Sequence, residues 1–200
     1  MAKDDLNVRL EKRVTLNAAA IYLPSYSRAD DGGNFAAART LLDKHNIGLT
    51  VWPTGGGKQT VNTLTMSRYE DPIKRGEESY KQLATDVHSL IKNRAPGYPF
   101  IVPIIFCQFD ADGVGVTPSK SKIGAAPPVC LISMAAMTMN DKMTILHEMG
   151  HSALYPDTSH DLSDSGNLMS DADGRKFLYR YQVEAFGTAI FAREVADDQE

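Results

Sequence analysis

Short aliphatic runs alternate along this chain with apolar residues spaced three and four apart, and their order predicts strands alternating with helices. Residues 14–23 are rich in aliphatic side chains and end at Pro24, which predicts a first strand, followed by a polar loop over 25–33. Asn34 is placed to cap a helix with Phe35, Ala38, Leu41, Leu42 and His45 on its inner face, stopped by Asn46 and Gly48. Residues 49–52 and 61–66 read as paired strands joined through Thr54-Gly55-Gly56-Gly57-Lys58. Asp71-Pro72 then opens a second helix with Ile73, Tyr80, Leu83, Ala84, Val87 and Leu90 on one face, ended by Pro96-Gly97. The nearly continuous apolar run over 100–109 is expected as a buried central strand, with Pro103 at a bulge or a strand start.

A short strand over 113–117, a loop over 119–128 and a strand over 129–134 lead into a third helix. That helix is expected to start at Asn140 or Asp141 and to bury Met143, Leu146, Met149, Gly150 and Ala153. A final helix is expected over 174–194, with the stripe Phe177, Leu178, Tyr181, Ala185, Phe186 and Ile190. The whole reads as one α/β (α+β) domain over 1–200, with 1–13 and 195–200 as flexible tails.

Composition narrows the class. A chain of 200 residues that is 42% hydrophobic and 23% charged is ordinary for a globular protein with one sizeable core. A net charge of -4 and the lack of a basic run argue against nucleic acid or an anionic membrane as partner. Met1-Ala2-Lys3-Asp4-Asp5-Leu6 lacks the cationic-then-apolar pattern of a secretory signal. The expected location is therefore cytoplasmic, unless a signal was trimmed or export is signal-independent. No feature specifies an oligomeric state. Cys107 and Cys130 lie in apolar runs distant in sequence and are expected as buried free thiols.

The chemistry concentrates at His147-Glu148-Met149-Gly150-His151. An α-helix advances about 100° per residue, so His147 and His151 stand about 40° apart around the axis and can share one metal ion. Glu148 between them can reach a water on that metal. Of five histidines, three (His147, His151 and His160) fall within fourteen residues, which supplies three nitrogen ligands. Three protein ligands with a fourth position left for water are the mark of a catalytic zinc site, whereas a structural site is closed by four. The Gly55-Gly56-Gly57-Lys58 loop is not a Walker A loop, because Trp52 and Gln59 stand where glycine and a hydroxyl residue are needed. Asp110-Ala111-Asp112-Gly113 and Asp171-Ala172-Asp173-Gly174 lack the later oxygen ligands of a calcium loop and read as solvated turns.

With Asn167-Leu168-Met169 downstream, the sequence resembles the metzincin zinc peptidases, whose motif is His-Glu-x-x-His-x-x-Gly-x-x-His/Asp followed by a methionine turn. The resemblance is carried by residues 113–169. It implies a twisted mixed sheet, an active-site helix, a Met-turn and a C-terminal helix. It also implies one zinc ion held by His147 and His151, Glu148 as general base, and Met169 as the apolar floor. Val114, Gly115 and Val116 would form the edge strand that pairs with an extended protein or peptide substrate. One departure is Leu154, which stands where the motif has glycine. Strict spacing makes Asp157 the third ligand, while a longer exit loop, stopped by Pro156, would deliver His160. The nine-residue step from His160 to Met169 is closer to the family spacing and favours His160. Asp157 or Asp161 would then orient a ligand histidine. In a gluzincin-type alternative, Glu184 from the last helix is the third ligand. Tyr155, Tyr179 and Tyr181 are candidates to hydrogen-bond an oxyanion, with packing as the plainer role. Two further alternatives are a bacterial effector or toxin peptidase acting in a target cell or envelope, and a non-catalytic zinc-binding module.

Overall fold

Aliphatic runs that need burial on both faces form the middle of a mixed sheet, six-stranded among the described residues, and helices close it from either side. The computed structural model describes residues 8–23, 31–52, 73–74, 76–92, 95, 98–108, 113–119, 127–138, 140, 142–154, 160 and 164–195. The elements run β1 (Val14–Tyr22), α1 (Asn34–Asp43), β2 (Ile47–Trp52), α2 (Glu77–Lys92), β3 (Val102–Phe106), β4 (Gly115–Val116), β5 (Cys130–Ile132), α3 (Thr144–Ala153), α4 (Arg180–Thr188) and β6 (Ala192–Glu194). A 3-10 turn over Met134–Thr138 lies between β5 and α3. The strand order is β2-β1-β3-β5-β4, and β6 adds to β1. Strands β2, β1, β3 and β5 are mutually parallel, whereas β4 runs antiparallel to β5 and β6 antiparallel to β1.

Strand periodicity divides the core in two. Ala18, Ala20, Ile104, Phe106, Cys130 and Ile132 face α1, α3 and α4. Ala19, Ile21, Ile105, Cys107 and Leu131 face α2. Pro103 sits second in β3, opposite Ala19, near a strand start as the sequence implied. Both cysteines are buried and free. Among the described residues, no helix is long and apolar enough to cross a membrane.

The structure moves several boundaries. Gly33, with φ at 87°, is the cap of α1, and Asn34 is the first helical residue, its amide bonded to the Asp31 carbonyl oxygen. Helix α2 starts at Glu77, so Ile73, expected on its face, is instead buried ahead of it with its N–H on the Gln108 carbonyl; at the other end the buried position is Ile91, and Leu90 only flanks it. Helix α3 starts at Thr144 rather than at Asn140 or Asp141: Lys142 takes a positive φ of 53° and breaks the turn, and Met143 caps without a side-chain bond. The last helix is shorter than expected, since the chain turns at Ala189 into β6, and Ile190 is 58% exposed rather than part of a buried stripe. Residues 8–13, expected as part of a tail, are tied to the body: Leu10 donates to the His45 carbonyl, and Asn46 donates to that of Leu10. The expected strand over 61–66 and the glycine loop over 54–58 lie outside the described residues.

Candidate metal centre

Helix α3 packs against β5, β4, β3, α1 and α4. Every residue from Thr144 to Ser152 is buried, so the helix has no solvated face of the kind its one-sided apolar stripe predicted. Ile145, Leu146 and Met149 fill the core beneath it. His147, Glu148 and His151 are 5%, 4% and 5% exposed, which places three polar groups in a poorly hydrated site. At the exit, Leu154 keeps a right-handed φ of -83° and its N–H bonds to the Gly150 carbonyl, so no glycine is required at that position.

His160 returns to the same point from beyond the helix. Its Nε2 lies 3.3 Å from His147 Nε2 and 3.2 Å from His151 Nε2, and the two helical nitrogens are 3.1 Å apart. The His147 Nδ1–H donates to the Leu168 carbonyl oxygen at 2.7 Å, which fixes that tautomer and leaves a lone pair on Nε2. Nitrogen lone pairs facing one another this closely repel unless a proton or a cation lies between them. Tetrahedral coordination with metal–nitrogen bonds of about 2.0–2.1 Å requires nitrogens about 3.3 Å apart, so the triangle fits a metal ion. His147, His151 and His160 could thus hold one ion together, with His160 the exposed member. Asp157, the alternative third ligand, and Tyr155 lie outside the described residues, as does Asp161. Glu184 is exposed on α4 and is not part of the group.

The turn below the histidines is built from amides. Asn167 Oδ1 accepts from the Met169 N–H at 2.9 Å, and the Ser170 N–H reaches the Asn167 carbonyl, closing a tight turn. Gln182 of α4 locks it from behind. Its Nε2 donates to Asn167 Oδ1 and to the Tyr181 hydroxyl, while its Oε1 accepts from Asn167 Nδ2. Met169 is 1% exposed and packs on α3 at Gly150, where a Cβ would come within 2.5 Å of its sulfur. That close approach explains glycine one residue before His151. Among the tyrosines, Tyr179 donates to Asp164 Oδ2 at 3.4 Å, so both described candidates have partners of their own.

The remaining contacts to Glu148 come from β4 and its exit. Thr117 Oγ1 lies 2.8 Å from Glu148 Oε2 and 2.9 Å from the Glu148 carbonyl oxygen. Burial pushes the Glu148 carboxyl up to about 7, against the opposing pull of the Thr117 hydrogen bond and the positive charge of Arg175. Burial, reinforced by the neighbouring His151, pushes the His147 imidazole down to about 3, so it is neutral and competent as a ligand at neutral pH. Burial pushes the Cys130 thiol up to about 12, and its sulfur lies 3.3 Å from the Ser152 hydroxyl, which suits an inert core residue.

Of the residues singled out in the sequence, the structure brings together the three histidines and places Met169 against their helix. Val114, Gly115 and Val116 lie in or beside β4, the end strand of the sheet, which pairs only with β5 among the described residues. Thr117, Arg175 and Gln182 were not anticipated. Thr117 and Arg175 are far from the motif in sequence and of common types, whereas Gln182 sits three residues after Tyr179 in a capping box that was legible had the helix been started there. No family model and no curated protein matches this sequence.

Proposed function

We propose that this protein is a zinc-dependent metallopeptidase of metzincin-like design, with His147, His151 and His160 as the metal ligands and Glu148 as the general base. The observation that carries the reading is the triangle of three Nε2 atoms at 3.1–3.3 Å with a buried glutamate on the same helix. Three neutral imidazoles suit zinc among the common cations, and a three-ligand set leaves a position open. A zinc ion held there would supply a Lewis acid that polarises a substrate carbonyl and acidifies a water molecule.

The chain's own residues do the rest. Leu168 holds the His147 ring in the tautomer that turns Nε2 toward the site. Glu148, with a proton affinity raised to near neutrality, is matched to taking a proton from water and returning it to a leaving amine. Met169 under Gly150 gives the histidine helix a firm apolar floor. The side of β4 away from β5, unpaired among the described residues, would take an extended peptide through main-chain hydrogen bonds.

Metal analysis of the purified protein, paired with a peptide-cleavage screen of wild type and Glu148→Gln, tests the proposal. Wild type should contain one zinc and cleave; Glu148→Gln should keep the metal and lose at least about a hundredfold in turnover. A metal-loaded wild type with no cleavage would leave a binding module, and a Glu148→Gln variant that sheds zinc would contradict the division between ligands and base.

A further inference from the structure

Gly115 and Thr117 meet Glu148 from one side of the extended segment that contains β4. They are two residues apart, so strand periodicity turns both toward α3. A Cβ built on Gly115 would stand 2.6 Å from Glu148 Oε1 and 3.0 Å from the carboxyl carbon, so the carboxyl lies against bare backbone. The other oxygen faces Thr117, itself only 8% exposed. The carboxyl is therefore held between a hydroxyl and a glycine.

A threonine hydroxyl has one hydrogen to give and lone pairs to accept with. Two oxygens of Glu148 lie within its reach, at 2.8 Å and 2.9 Å, so the hydrogen serves one of them at a time. The hydroxyl thus lies between the side chain and the backbone of Glu148 and can tie one to the other. Valine has nearly the same shape without the bond, and serine keeps the bond without the methyl group.

We propose that Thr117 is the positioning residue for Glu148: its hydroxyl, within hydrogen-bond reach of both the carboxyl and the backbone oxygen of Glu148, holds the carboxyl in one place, with Gly115 as the seat. The use of this device rests on the peptidase reading; its geometry does not. A misplacement of about 1 Å in a reacting group costs on the order of a hundredfold in rate, so a held carboxyl is worth more than its hydrogen bond alone.

The test compares zinc-loaded wild type, Thr117→Val and Thr117→Ser by peptide cleavage, by zinc affinity in chelator competition and by crystal structure. Thr117→Val should lower kcat about tenfold or more while KM and zinc affinity stay within about twofold, and Thr117→Ser should restore most of the loss. In the crystal, Thr117→Val should release the Glu148 carboxyl from Gly115 while the three histidines stay in place. Wild-type kcat in Thr117→Val, equal impairment in Thr117→Ser, or zinc affinity falling with kcat would each overturn the inference. Should Thr117→Val fail to fold, Gly115→Ala carries the test, since a methyl there must displace the carboxyl and lower kcat; an unchanged kcat overturns the idea. If wild type cleaves no peptide, the peptidase reading falls by itself, and the crystal structures decide the positioning: a carboxyl that does not move in the valine variant refutes it, and one that moves upholds it.

Discussion

The two faces of the sheet are covered by helices of opposite character. Helix α2 lays Tyr80, Leu83, Ala84, Val87 and Ile91 over Ala19, Ile21, Ile105 and Leu131, and His88 is the one buried histidine it carries. Helix α3 is buried on every side yet includes Thr144, His147, Glu148, His151 and Ser152, with Asn167, Arg175 and Gln182 also buried among the segments that follow it. Burying a polar group is costly unless it is bonded, so the α3 face is stable only because partners such as the Leu168 carbonyl, Thr117 and the Asn167–Gln182 pair are in place. The comparison teaches how unequally polar groups are divided across one sheet. Both faces carry an apolar core, and the α3 face adds the buried polar groups of the candidate metal centre, whose partners must be in place.

The sharpest way to break that division is a pair of reciprocal substitutions. Leu83→Ala empties a fully buried position under α2 and should cost about 2–5 kcal/mol in denaturant unfolding, with zinc affinity and turnover of the folded fraction unchanged. Glu148→Gln should do the reverse, abolishing turnover without loss of stability, because it replaces a carboxyl whose charge burial disfavours. Turnover lost in Leu83→Ala in proportion to stability would mean that the two faces are one unit.

A milder probe acts within the α3 face. Asn167→Ala leaves the Met169 N–H and the Gln182 amide without their acceptor and donor, at about 1–3 kcal/mol of stability. Because the adjoining Leu168 carbonyl orients His147, zinc affinity should fall as well, by on the order of tenfold. Isothermal titration with zinc checks this, and stability lost with affinity intact would show that the turn merely packs.

What was legible in the sequence follows the same division. The α2 face was read nearly residue by residue from Tyr80 to Val87, since a helix with one apolar side carries its own period, whereas Ile73 lies ahead of the helix and Ile91 displaces Leu90. On the α3 face the helical spacing of His147 and His151 was legible because it is local. Its surroundings were not, because a helix buried all round has no phase to read and its polar residues are satisfied by segments distant in the chain. The starting point at Thr144 depended on a positive φ at Lys142, a conformation that lysine does not advertise. The short β6, with Arg193 and Glu194 exposed, has no apolar run to announce it and is defined by its pairing with Val14–Leu16.

The smallest predicted effect tests a buried polar residue on the α2 face. His88 Nε2 donates to the Pro128 carbonyl oxygen at 3.4 Å, its Nδ1 has no partner among the described residues, and burial lowers its pKa from the ordinary value. Above the unfolded pKa of about 6.5, both folded and unfolded chains hold it neutral, and it contributes nothing to the pH dependence. As pH falls below that point, the unfolded chain takes a proton that the fold refuses, and stability declines until the folded pKa is passed. His147 acts in the same direction, whereas Glu148, raised to about 7, gains stability on acidification because the fold binds its proton first. Those two opposed contributions are common to wild type and His88→Leu, so the difference between the two proteins isolates His88. Denaturant unfolding from about pH 7 to about pH 5 should show wild type losing ground against the leucine variant, with no change in zinc affinity. Parallel curves would mean that His88 is protonated as readily in the fold as outside it, and the α2 face would then be wetter than its apolar lining implies.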